Sequence, residues 1–373
     1  MSDSASAPAR ARREERVLEL IETARSKRPR FRDEQITLAH GAGGKATQTL
    51  IEGLLVPAFA ASGSGEALQE LGDAGRIALG TRTPALAMTS DSFVVSPLRF
   101  PGGSIGELAV NGTVNDLAMA GARPSALTVS LILEEGLGAD TLRAEVEAIA
   151  HAADVAGAEI VGGDTKVVQR GLADGMYICT TGVGLVDPRA RLAPQQLQAG
   201  DRILVSGPIA EHGTAIMLAR GQFELDAEIE SDTCCLWPAV DALLRAAGRE
   251  LHCLRDATRG GVASVLNELA RASRVGVMVH EAEVPVRPVV QAAAELLGID
   301  PMYIANEGRL VAVVAPAAQD DALAALRAVD GCEQAAVIGE VTDEPPGMVL
   351  VATAFGGRRV MDQLVGDPLP RIC

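Results

Sequence analysis

Four segments of the sequence combine the residue types that hold phosphate groups and magnesium ions in proteins. The first, HGAGGK at 40–45, has three glycines in four positions, whose backbone N–H groups could turn toward an anion, and Lys45 adds a positive charge. The other three each carry a carboxylate; they are TSDS at 89–92 with Asp91, NGTVNDLAMAGARP at 111–124 with Asp116, and RDATRGG at 255–261 with Asp256. Separated carboxylates beside backbone anion sites predict a Mg²⁺–nucleotide site, because Mg²⁺ takes oxygen ligands and bridges phosphates.

Each segment also has a structural interpretation that needs no ligand. Segment 40–45 could be a plain glycine turn, and it is not a Walker A motif, because Ala39 stands where the first glycine belongs and Ala46 replaces the serine or threonine. Each aspartate could cap a helix or form a turn. Asp116 is harder to explain in this way, because its surroundings predict a buried helix of small residues, where a carboxylate is costly unless a cation pairs with it.

Two further segments place charged residues beside glycine. GGDTK at 162–166 follows an apolar strand pattern, and NEG at 306–308 precedes another. The second segment would be interpreted as a turn if it stood alone. Together they add acidic groups and a lysine to the predicted site.

The sequence ends on Cys373, after a segment that contains Pro368 and Pro370. The eight residues from Gly366 would reach about 25 Å if extended, and the prolines disfavour a helix. Such a tail could carry a sulfur atom from one site to another, although a terminal cysteine is most often incidental. The six cysteines include no C-x-x-C pair, so neither a disulfide framework nor a zinc ribbon is expected.

Composition limits the partners and the compartment. The 373 residues carry a net charge of −16, which argues against nucleic acid as a partner, because phosphate contacts require a basic surface. No apolar run approaches the ~20 residues of a membrane span and no signal peptide is visible, so we expect a cytoplasmic protein. With 48% hydrophobic but only 2% aromatic residues, the cores must be built from Ala, Val, Leu and Ile.

Alternating strand and helix patterns from residue 36 onward predict an α/β or α+β protein. The predicted strands are 86–95, 126–133, 159–161, 176–186, 202–205, 275–280, 310–314, 337–341 and 348–352. The predicted helices are 105–120, 139–156, 214–219, 233–247, 261–272, 289–297 and 320–329. The acidic and glycine-rich segments fall mostly at the ends of these elements.

We predict that the chain has four parts. Residues 1–35 form a charged N-terminal extension, partly disordered, with one short helix. Residues 36–188 and 189–345 form two domains, separated where Asp187-Pro188 opens a polar, Gln-rich stretch. Residues 346–373 hold a final strand and the tail.

Taken in order, these segments resemble the PurM-like ATP-binding superfamily, and most closely its HypE family of hydrogenase maturation factors, which are carbamoyl dehydratases. The resemblance covers residues 36 to 373. It is carried by HGAGGK (40–45), TSDSFVVSPLRFPGG (89–103), NGTVNDLAMAGARP (111–124), GGDTKVV (162–168), RDATRGG (255–261), NEGRL (306–310) and PRIC (370–373). It implies a two-domain PurM-like fold, with an N-terminal ATP-binding domain whose sheet forms a barrel across a homodimer, a C-terminal α/β domain and a flexible, mobile tail. ATP would lie between the two domains.

The resemblance also implies a reaction. A partner carbamoyltransferase of the HypF family would transfer a carbamoyl group to Cys373, and the tail would carry the resulting thiocarboxamide inward. ATP, together with Mg²⁺, would convert the amide oxygen to a phosphate ester, and elimination would leave a thiocyanate. The cyanide would pass to iron on a HypC–HypD complex, for the active site of NiFe-hydrogenase.

The match to the family motifs assigns roles residue by residue. The implied catalytic residues are Cys373, Lys166 and Glu307, and Glu307 is the natural base. The implied Mg²⁺ ligands, which also belong to the nucleotide site, are Asp91, Asp116 and Asp256. The remaining implied nucleotide-binding and substrate-binding residues are Gly43, Gly44, Lys45, Asn111, Asp164, Thr165, Thr258, Arg259 and Gly260.

Two other functions stay open on the sequence. The first is a small-molecule phosphotransferase of the same superfamily. Selenophosphate synthetases place cysteine or selenocysteine in the glycine loop, however, and residues 38–49 contain none, while thiamine-phosphate kinases and the purine enzyme lack a cysteine-ended tail. The second is a non-catalytic carrier, which would present the sulfur of Cys373 to partners while ATP only controls its exposure.

Overall fold

Two mixed sheets organise the protein in the computed structural model, which describes residues 30–41, 44–57, 74–77, 85–221, 228–364, 369 and 371–373. The strands are β1 (Gly75–Ile77), β2 (Leu86–Phe93), β3 (Arg99–Phe100), β4 (Gly103–Ser104), β5 (Ala122–Glu134), β6 (Glu159–Val168), β7 (Met176–Val186), β8 (Arg202–Val205), β9 (Leu251–Asp256), β10 (Gly276–His280), β11 (Leu310–Val314), β12 (Ala336–Thr342), β13 (Val349–Ala352) and β14 (Arg358–Met361).

The helices mostly follow the strands along the chain. They are α1 (Lys45–Leu50), α2 (Ile105–Met119), α3 (Ala139–Ala156), α4 (Glu211–Ala219), α5 (Trp237–Ala246), α6 (Gly261–Ser273), α7 (Pro288–Leu297) and α8 (Gln319–Arg327), and a π-helical turn (Ile51–Leu55) continues α1. In the part of the chain that the structure describes, no helix is both long and apolar enough to cross a membrane.

The N-terminal sheet has the strand order β1-β2-β7-β5-β6 and is open, with β1 and β6 at its edges among the described residues. Only β5 and β6 are parallel neighbours. Helix α2 covers one face and is buried almost throughout, which suits its run of small and apolar residues. A Cβ atom at Gly112 would lie 2.7 Å from the ring of Phe93 on β2, so the missing side chain lets the helix lie close to the sheet.

Helix α2 begins where α3 supplies a cap. The carboxylate of Glu145 on α3 is fully buried; it accepts the backbone N–H of Gly106 (3.0 Å) and the Nε–H of Arg99 (2.8 Å). A carboxylate at a helix N-terminus satisfies an otherwise unpaired N–H group and interacts favourably with the helix dipole. Helix α3 itself ends at Gly157, whose φ of +66° is the left-handed conformation that commonly terminates helices.

The C-terminal sheet has the strand order β14-β13-β10-β12-β8-β11-β9. All five residues of β11 are buried, and so are all six of β9, although β9 is the last strand in this order. The two sheets meet where α2 packs against β9 and α5. Asn115, on the C-terminal half of α2, donates to the carbonyl oxygens of Cys234 (2.9 Å) and Glu307 (3.2 Å) and accepts the N–H of Leu236 (2.7 Å).

The observed elements differ from the predicted ones in several places. Strand β6 continues to Val168, so GGDTK lies inside a strand rather than at its end, because Asp164 and Lys166 pair with Ser130 and Ile132 of β5. Strands β1, β3, β4, β9 and β14 were not predicted; the first three have only two or three residues each, and polar residues interrupt the apolar pattern of β9 and β14. Strand β5 begins at Ala122 instead of residue 126, and α4 begins at Glu211 instead of residue 214. Helix α5 begins at Trp237 instead of residue 233.

Parts of the sequence predictions lie outside the described residues. They are the helix of the extension before residue 30, Gly43, and residues 365–368 and 370 of the tail.

Candidate active site

Two of the predicted aspartates face each other between β2 and α2. Thr89, Asp91 and Phe93 alternate onto the face of β2 that α2 covers, and the hydroxyl of Thr89 donates to Oδ2 of Asp116 on α2 (2.8 Å). Asn111, five residues before Asp116 on the same helix, is buried and donates to Oγ1 of Thr233 (3.2 Å). The carboxylates that the sequence separates by 25 residues are therefore positioned by one strand–helix contact.

The RDATRGG segment brings a cation to this place from the C-terminal half. After β9, the N–H of Gly261 donates to the carbonyl oxygen of Thr258 (2.8 Å), and Gly260 and Gly261 both have positive φ. A Cβ atom at Gly261 would lie 2.5 Å from the carbonyl oxygen of Met302, so only glycine fits there. The turn directs Arg259 toward the N-terminal sheet.

Arg259 is the cation that the acidic groups of the site share. Its Nη2 lies 3.9 Å from Oδ1 of Asp91. The negative charge of Cys373 is the largest cause that raises the pKa of Arg259; Asp91, Glu307 and Asp116 add to it, and burial opposes it. The structure thus brings residues from four separate segments of the sequence around one guanidinium group.

Glu307 lies in the buried part of the site. The residue is 3% exposed, and its Oε1 has no hydrogen-bond partner within the described part of the chain. Burial raises the pKa of Glu307 well above its usual range, and the negative charges of Asp256 and Asp91 raise it further, while Arg259 lowers it. A carboxyl group in this environment keeps its proton to a higher pH than an exposed one, and such perturbed groups are typical of a general acid or base.

A buried ion-pair chain fixes the backbone of Glu307. Its N–H donates to Oδ1 of Asp232 (3.1 Å), whose Oδ2 lies 3.6 Å from Nε of Arg309. Arg309 in turn donates to Glu211 at the start of α4 (3.0 Å). Burial raises the pKa of Asp232, and Arg309 opposes that shift. Sequence reasoning missed Asp232, Glu211 and Asn115, because buried polar residues in otherwise apolar surroundings leave no local periodic signal. Of the three, Asn115 lies inside one of the predicted site segments, 111–124.

The end of the tail lies inside the protein. Cys373 is 8% exposed, and Ile372 and Leu369 are buried with it in the larger hydrophobic core. The carbonyl oxygen of Cys373 accepts the N–H of Val94 (3.1 Å), three residues beyond Asp91. The described tail residues are therefore packed, and the structure does not show the flexibility that the resemblance implied.

Gly44 and Lys45, at the end of the glycine segment, lie beside the residues that follow β14. Gly44 is buried at the start of α1, and the N–H of Lys45 donates to the carbonyl oxygen of Leu364 (3.1 Å). The Nζ of Lys45 lies 2.8 Å from Oδ2 of Asp362, which follows β14. These contacts hold Lys45 beside residues 362–364, which directly precede the tail.

Asp164, Thr165 and Lys166 are not brought to the other site residues within one chain. Asp91 is level with Thr180 on β7, Val129 on β5 and Gly163 on β6, so three strand spacings of about 4.8 Å put β6 roughly 14 Å from β2. Because side chains alternate along a strand, Lys166 also points to the face opposite to that of Asp91. There it forms an exposed ion pair with Asp164, which lowers the pKa of Asp164.

The predicted metal ligands do not form a ready-made metal cluster. No group of three or more His, Cys, Asp or Glu side chains that could hold a metal ion occurs among the residues described. Mg²⁺ in nucleotide sites is usually held by one or two carboxylates together with phosphates and water, so such a cluster is not required.

Comparison with known proteins assigns the class and then the family. Residues 71–186 match the N-terminal domain and residues 198–351 the C-terminal domain of AIR synthase related proteins, so the chain belongs to that class. It is 47% identical over 338 residues to the carbamoyl dehydratase HypE of Bradyrhizobium diazoefficiens, covering 91% of this chain and 96% of that protein. The chain therefore belongs to the HypE family of carbamoyl dehydratases, and the family predicted from the motifs is confirmed.

Solved structures of this family share the fold. A HypE–HypF complex has a TM-score of 0.78 at 40% identity, covering 83% of this chain and 99% of that one. A HypE structure in complex with ATP has a TM-score of 0.75 at 42% identity, covering 91% of this chain and all of that one (100%). The mixed α/β, PurM-like architecture predicted from the sequence is confirmed.

Proposed function

We propose that the protein catalyses the ATP-dependent dehydration of a carbamoyl group carried on the sulfur of Cys373. The observation that carries the proposal is the burial of Cys373 beside Arg259, which Asp91, Asp116 and Glu307 also surround. A tail that ended in solvent would be a carrier only, whereas this one ends among groups suited to acid–base chemistry and to phosphate. The HypE structure with ATP supports nucleotide binding in the same fold.

The reaction needs a phosphate donor because hydroxide is a poor leaving group from an amide. Transfer of the γ-phosphoryl group of ATP to the carboxamide oxygen releases ADP and one N–H proton. Breaking the C–O bond then releases phosphate with the second N–H proton and leaves S–C≡N. Arg259 is placed to stabilise the negative charge that develops on the transferred group, and Glu307 to accept a proton.

The donor set fits Mg²⁺. Asp91 and Asp256 lie close enough to Glu307 for their negative charges to raise its pKa, so this part of the site brings several carboxylate oxygens together. Hard oxygen ligands of this kind favour Mg²⁺. We assign Asp91 and Asp256, with Asp116 near them, to hold the ion, which would neutralise charge on the phosphates.

We infer that Lys166 reaches a site only from a second copy of the chain. Within the described part of the chain, no helix covers the face of the N-terminal sheet on which Lys166 lies, here called the helix-free face, and this face exposes Met88 and Leu185, at 44% and 48%. A second sheet packed on this face would bury that apolar surface and complete the barrel across a homodimer. The same contact would bring Lys166 and Asp164 of one copy toward the other copy, whereas Thr165 lies on the opposite face of β6.

Mixing two inactive variants tests this inference. Lys166→Ala retains Glu307, and Glu307→Gln retains Lys166, so a mixed dimer contains one complete site if Lys166 acts in trans. With random exchange of subunits, mixing should restore about a quarter of the wild-type activity, since half of the dimers are mixed and each has one working site. No recovery on mixing, with exchange verified by mass, would contradict a role in trans.

The proposed partners follow from the family. A HypF-type carbamoyltransferase would load Cys373, as the HypE–HypF structure suggests, and a HypC–HypD complex would receive the cyanide for the iron of NiFe-hydrogenase. Both transfers require the sulfur to leave the buried position seen here. The inward tail therefore corresponds to the dehydration step in this proposal.

Mass spectrometry of the C-terminal peptide tests the function directly. After incubation with the carbamoyl donor system, Cys373 should gain one carbamoyl group, and addition of ATP should remove one water. A non-catalytic carrier would keep the carboxamide with ATP present. A small-molecule phosphotransferase would use ATP without any change at Cys373, and a Cys373→Ala chain that still formed thiocyanate would refute the proposal.

A further inference from the structure

Side chains outside the nucleotide-binding segments hold the backbone of the tail. Nε2 of His212 on α4 lies 2.9 Å from the carbonyl oxygen of Ile372. Nη2 of Arg220, at the end of the same helix, donates to the carbonyl oxygen of Arg371 (2.5 Å), and its Nε donates to that of Ser96 (2.7 Å). The last carbonyl groups before Cys373 are thus both bound from α4.

The hydrogen bonds of His212 can be assigned from its partners. A carbonyl oxygen only accepts, so Nε2 carries the hydrogen. The side chain is fully buried, and burial lowers the pKa of His212 to about 4, so the ring is neutral at pH 7 and its Nδ1 accepts. The donor to Nδ1 is the hydroxyl of Ser231 (2.7 Å), whose oxygen in turn accepts the N–H of Thr233 (3.1 Å). Every polar atom in this chain of hydrogen bonds has a partner.

The N-terminal half holds the other side of the tail. The N–H of Val94 donates to the carbonyl oxygen of Cys373, and Nε of Arg371 donates to that of Val94, both at 3.1 Å. Nη1 of Arg371 lies 2.7 Å from Asp174. Arg371 is therefore engaged away from the sulfur, and its positive φ of 55° turns the chain into the site.

The same two dipeptides position both the tail and Glu307. In 231–232, Ser231 aligns His212 and Asp232 accepts the N–H of Glu307. In 211–212, His212 binds the tail and Glu211 binds Arg309, which pairs with Asp232. Residues 211–212 and 231–232 thus hold the tail and Glu307 in one buried network. We infer that this network limits how far the sulfur of Cys373 can move relative to the carboxyl group of Glu307.

We propose that His212 and Ser231 are positioning residues, a latch that binds the tail through the carbonyl oxygen of Ile372 and sets Cys373 against Glu307. The proposal deepens the function proposed above and rests on it for the chemistry. Because the latch binds the main chain and not the sulfur, it holds the thiol, the carboxamide and the thiocyanate alike.

The first test measures whether the latch holds the tail, independently of catalysis. His212→Leu removes both hydrogen bonds at similar size, whereas His212→Gln keeps an amide N–H for the carbonyl oxygen; His151→Gln, on the exposed side of α3, is the matched control. A thiol reagent is added to the full chain, and labelling of Cys373 is followed by mass spectrometry. We expect about tenfold faster labelling in His212→Leu, the factor for a loss of about 1.4 kcal/mol, and near wild-type rates in the other two.

Cys332, buried at 4% exposure, reports whether a variant is still folded. If Cys332 is also labelled in His212→Leu, the smaller change Ser231→Ala replaces it and should accelerate labelling of Cys373 alone. Wild-type labelling of Cys373 in a folded variant that lacks the latch hydrogen bonds would overturn the proposal. Equal acceleration in His212→Gln and His212→Leu would overturn the assigned hydrogen bond to Ile372.

The second test measures single-turnover dehydration after carbamoylation by the donor system. We expect His212→Leu to be carbamoylated normally but dehydrated at least tenfold more slowly, with His212→Gln restoring most of the rate. Equal dehydration rates in all the variants would contradict a positioning role. If the wild-type chain itself forms no thiocyanate, the proposed function fails, while the labelling result still decides whether the latch exists.

Discussion

Glu307 and Arg259 show how single residues acquire their chemistry from their surroundings. Burial and three neighbouring aspartates raise the pKa of Glu307, while Arg259 has four negative groups around its guanidinium. Neither property is a property of the amino-acid type alone. Burial disfavours the charged form of Glu307, and the negative groups around Arg259 stabilise its positive charge.

We expect Glu307→Gln to keep the shape of the site but to lose the proton acceptor. Dehydration of carbamoylated Cys373 in a single turnover should fall by about 10²-fold or more, the usual contribution of a general base, while carbamoylation continues. The control is Glu295→Gln, an exposed residue of α7. Dehydration at the wild-type rate in Glu307→Gln would remove Glu307 from the mechanism.

His212 predicts a pH dependence of stability with a definite sign. Its pKa is about 4 in the folded protein, below its usual value of 6.5, because burial and the cation of Arg220 oppose the charged form. Between these values the unfolded chain binds a proton that the folded chain does not. The contribution of the neutral His212 to the free energy of unfolding is therefore complete above pH 6.5. It is lost as the pH falls toward 4, and the loss amounts to at most about 3 kcal/mol.

Denaturant unfolding of the wild type and of His212→Gln between pH 7 and 4.5 measures this contribution. Since glutamine does not titrate in that range, the difference between the two free energies of unfolding should shrink steadily as the pH falls below 6.5. Parallel curves over the whole range would show that His212 is not held neutral in the fold.

At the scale of elements, α2 connects the two halves of the molecule to the site. It presents Asp116 to β2 on one side and Asn115 to the C-terminal half on the other. The sequence predicted this helix within one residue of its ends, because its small-residue pattern is long and continuous. It did not predict which polar residues of the helix would be structural.

We expect Asn115→Ala to lower the free energy of unfolding by about 2–4 kcal/mol, since it removes three hydrogen bonds, of which those to Glu307 and Leu236 are buried. Asn115→Asp should be no better, because a carboxylate cannot donate to the carbonyl groups of Cys234 and Glu307. Urea unfolding measures both. The exposed Gln291→Ala serves as the control and should change stability by less than about 0.5 kcal/mol; an equally small effect of Asn115→Ala would contradict the role of this residue between the halves.

At the scale of the whole molecule, the helix-free face of the N-terminal sheet predicts self-association. Met88→Asp or Leu185→Asp places a charge on that face and should convert the proposed homodimer largely to monomer, with at least a hundredfold weaker association, since burying an unpaired charge is costly. Sedimentation analysis measures the change. Val155→Asp on the outer surface of α3, where Val155 is 64% exposed, should leave the dimer intact.

The opposite result is equally clear. If both variants of the helix-free face sediment like the wild type, that face is not the interface, and the assignment of Lys166 to a partner's site loses its basis.

The sequence by itself determined the family, the alternation of strands and helices, and the residue types of the site. Its informative segments are short, local and rich in glycine and carboxylates, so their chemistry can be inferred without knowing where they meet. The motifs also predicted that one site would combine four residues from separate segments, Asp91, Asp116, Arg259 and Glu307. Strand β9 was not predicted, because His252 and Arg255 interrupt its apolar pattern. Both side chains have partners only in the folded protein, where Nδ1 of His252 lies 2.7 Å from Asp201.

Only the tertiary structure decided on which face Lys166 lies, which residues hold the tail and where Cys373 ends. Strand register and side-chain alternation set the first, and a shift of one residue would reverse it. Hydrogen bonds between residues more than a hundred positions apart, such as that from His212 to Ile372, set the others. Such contacts depend on long-range packing, and no local pattern of residues encodes them.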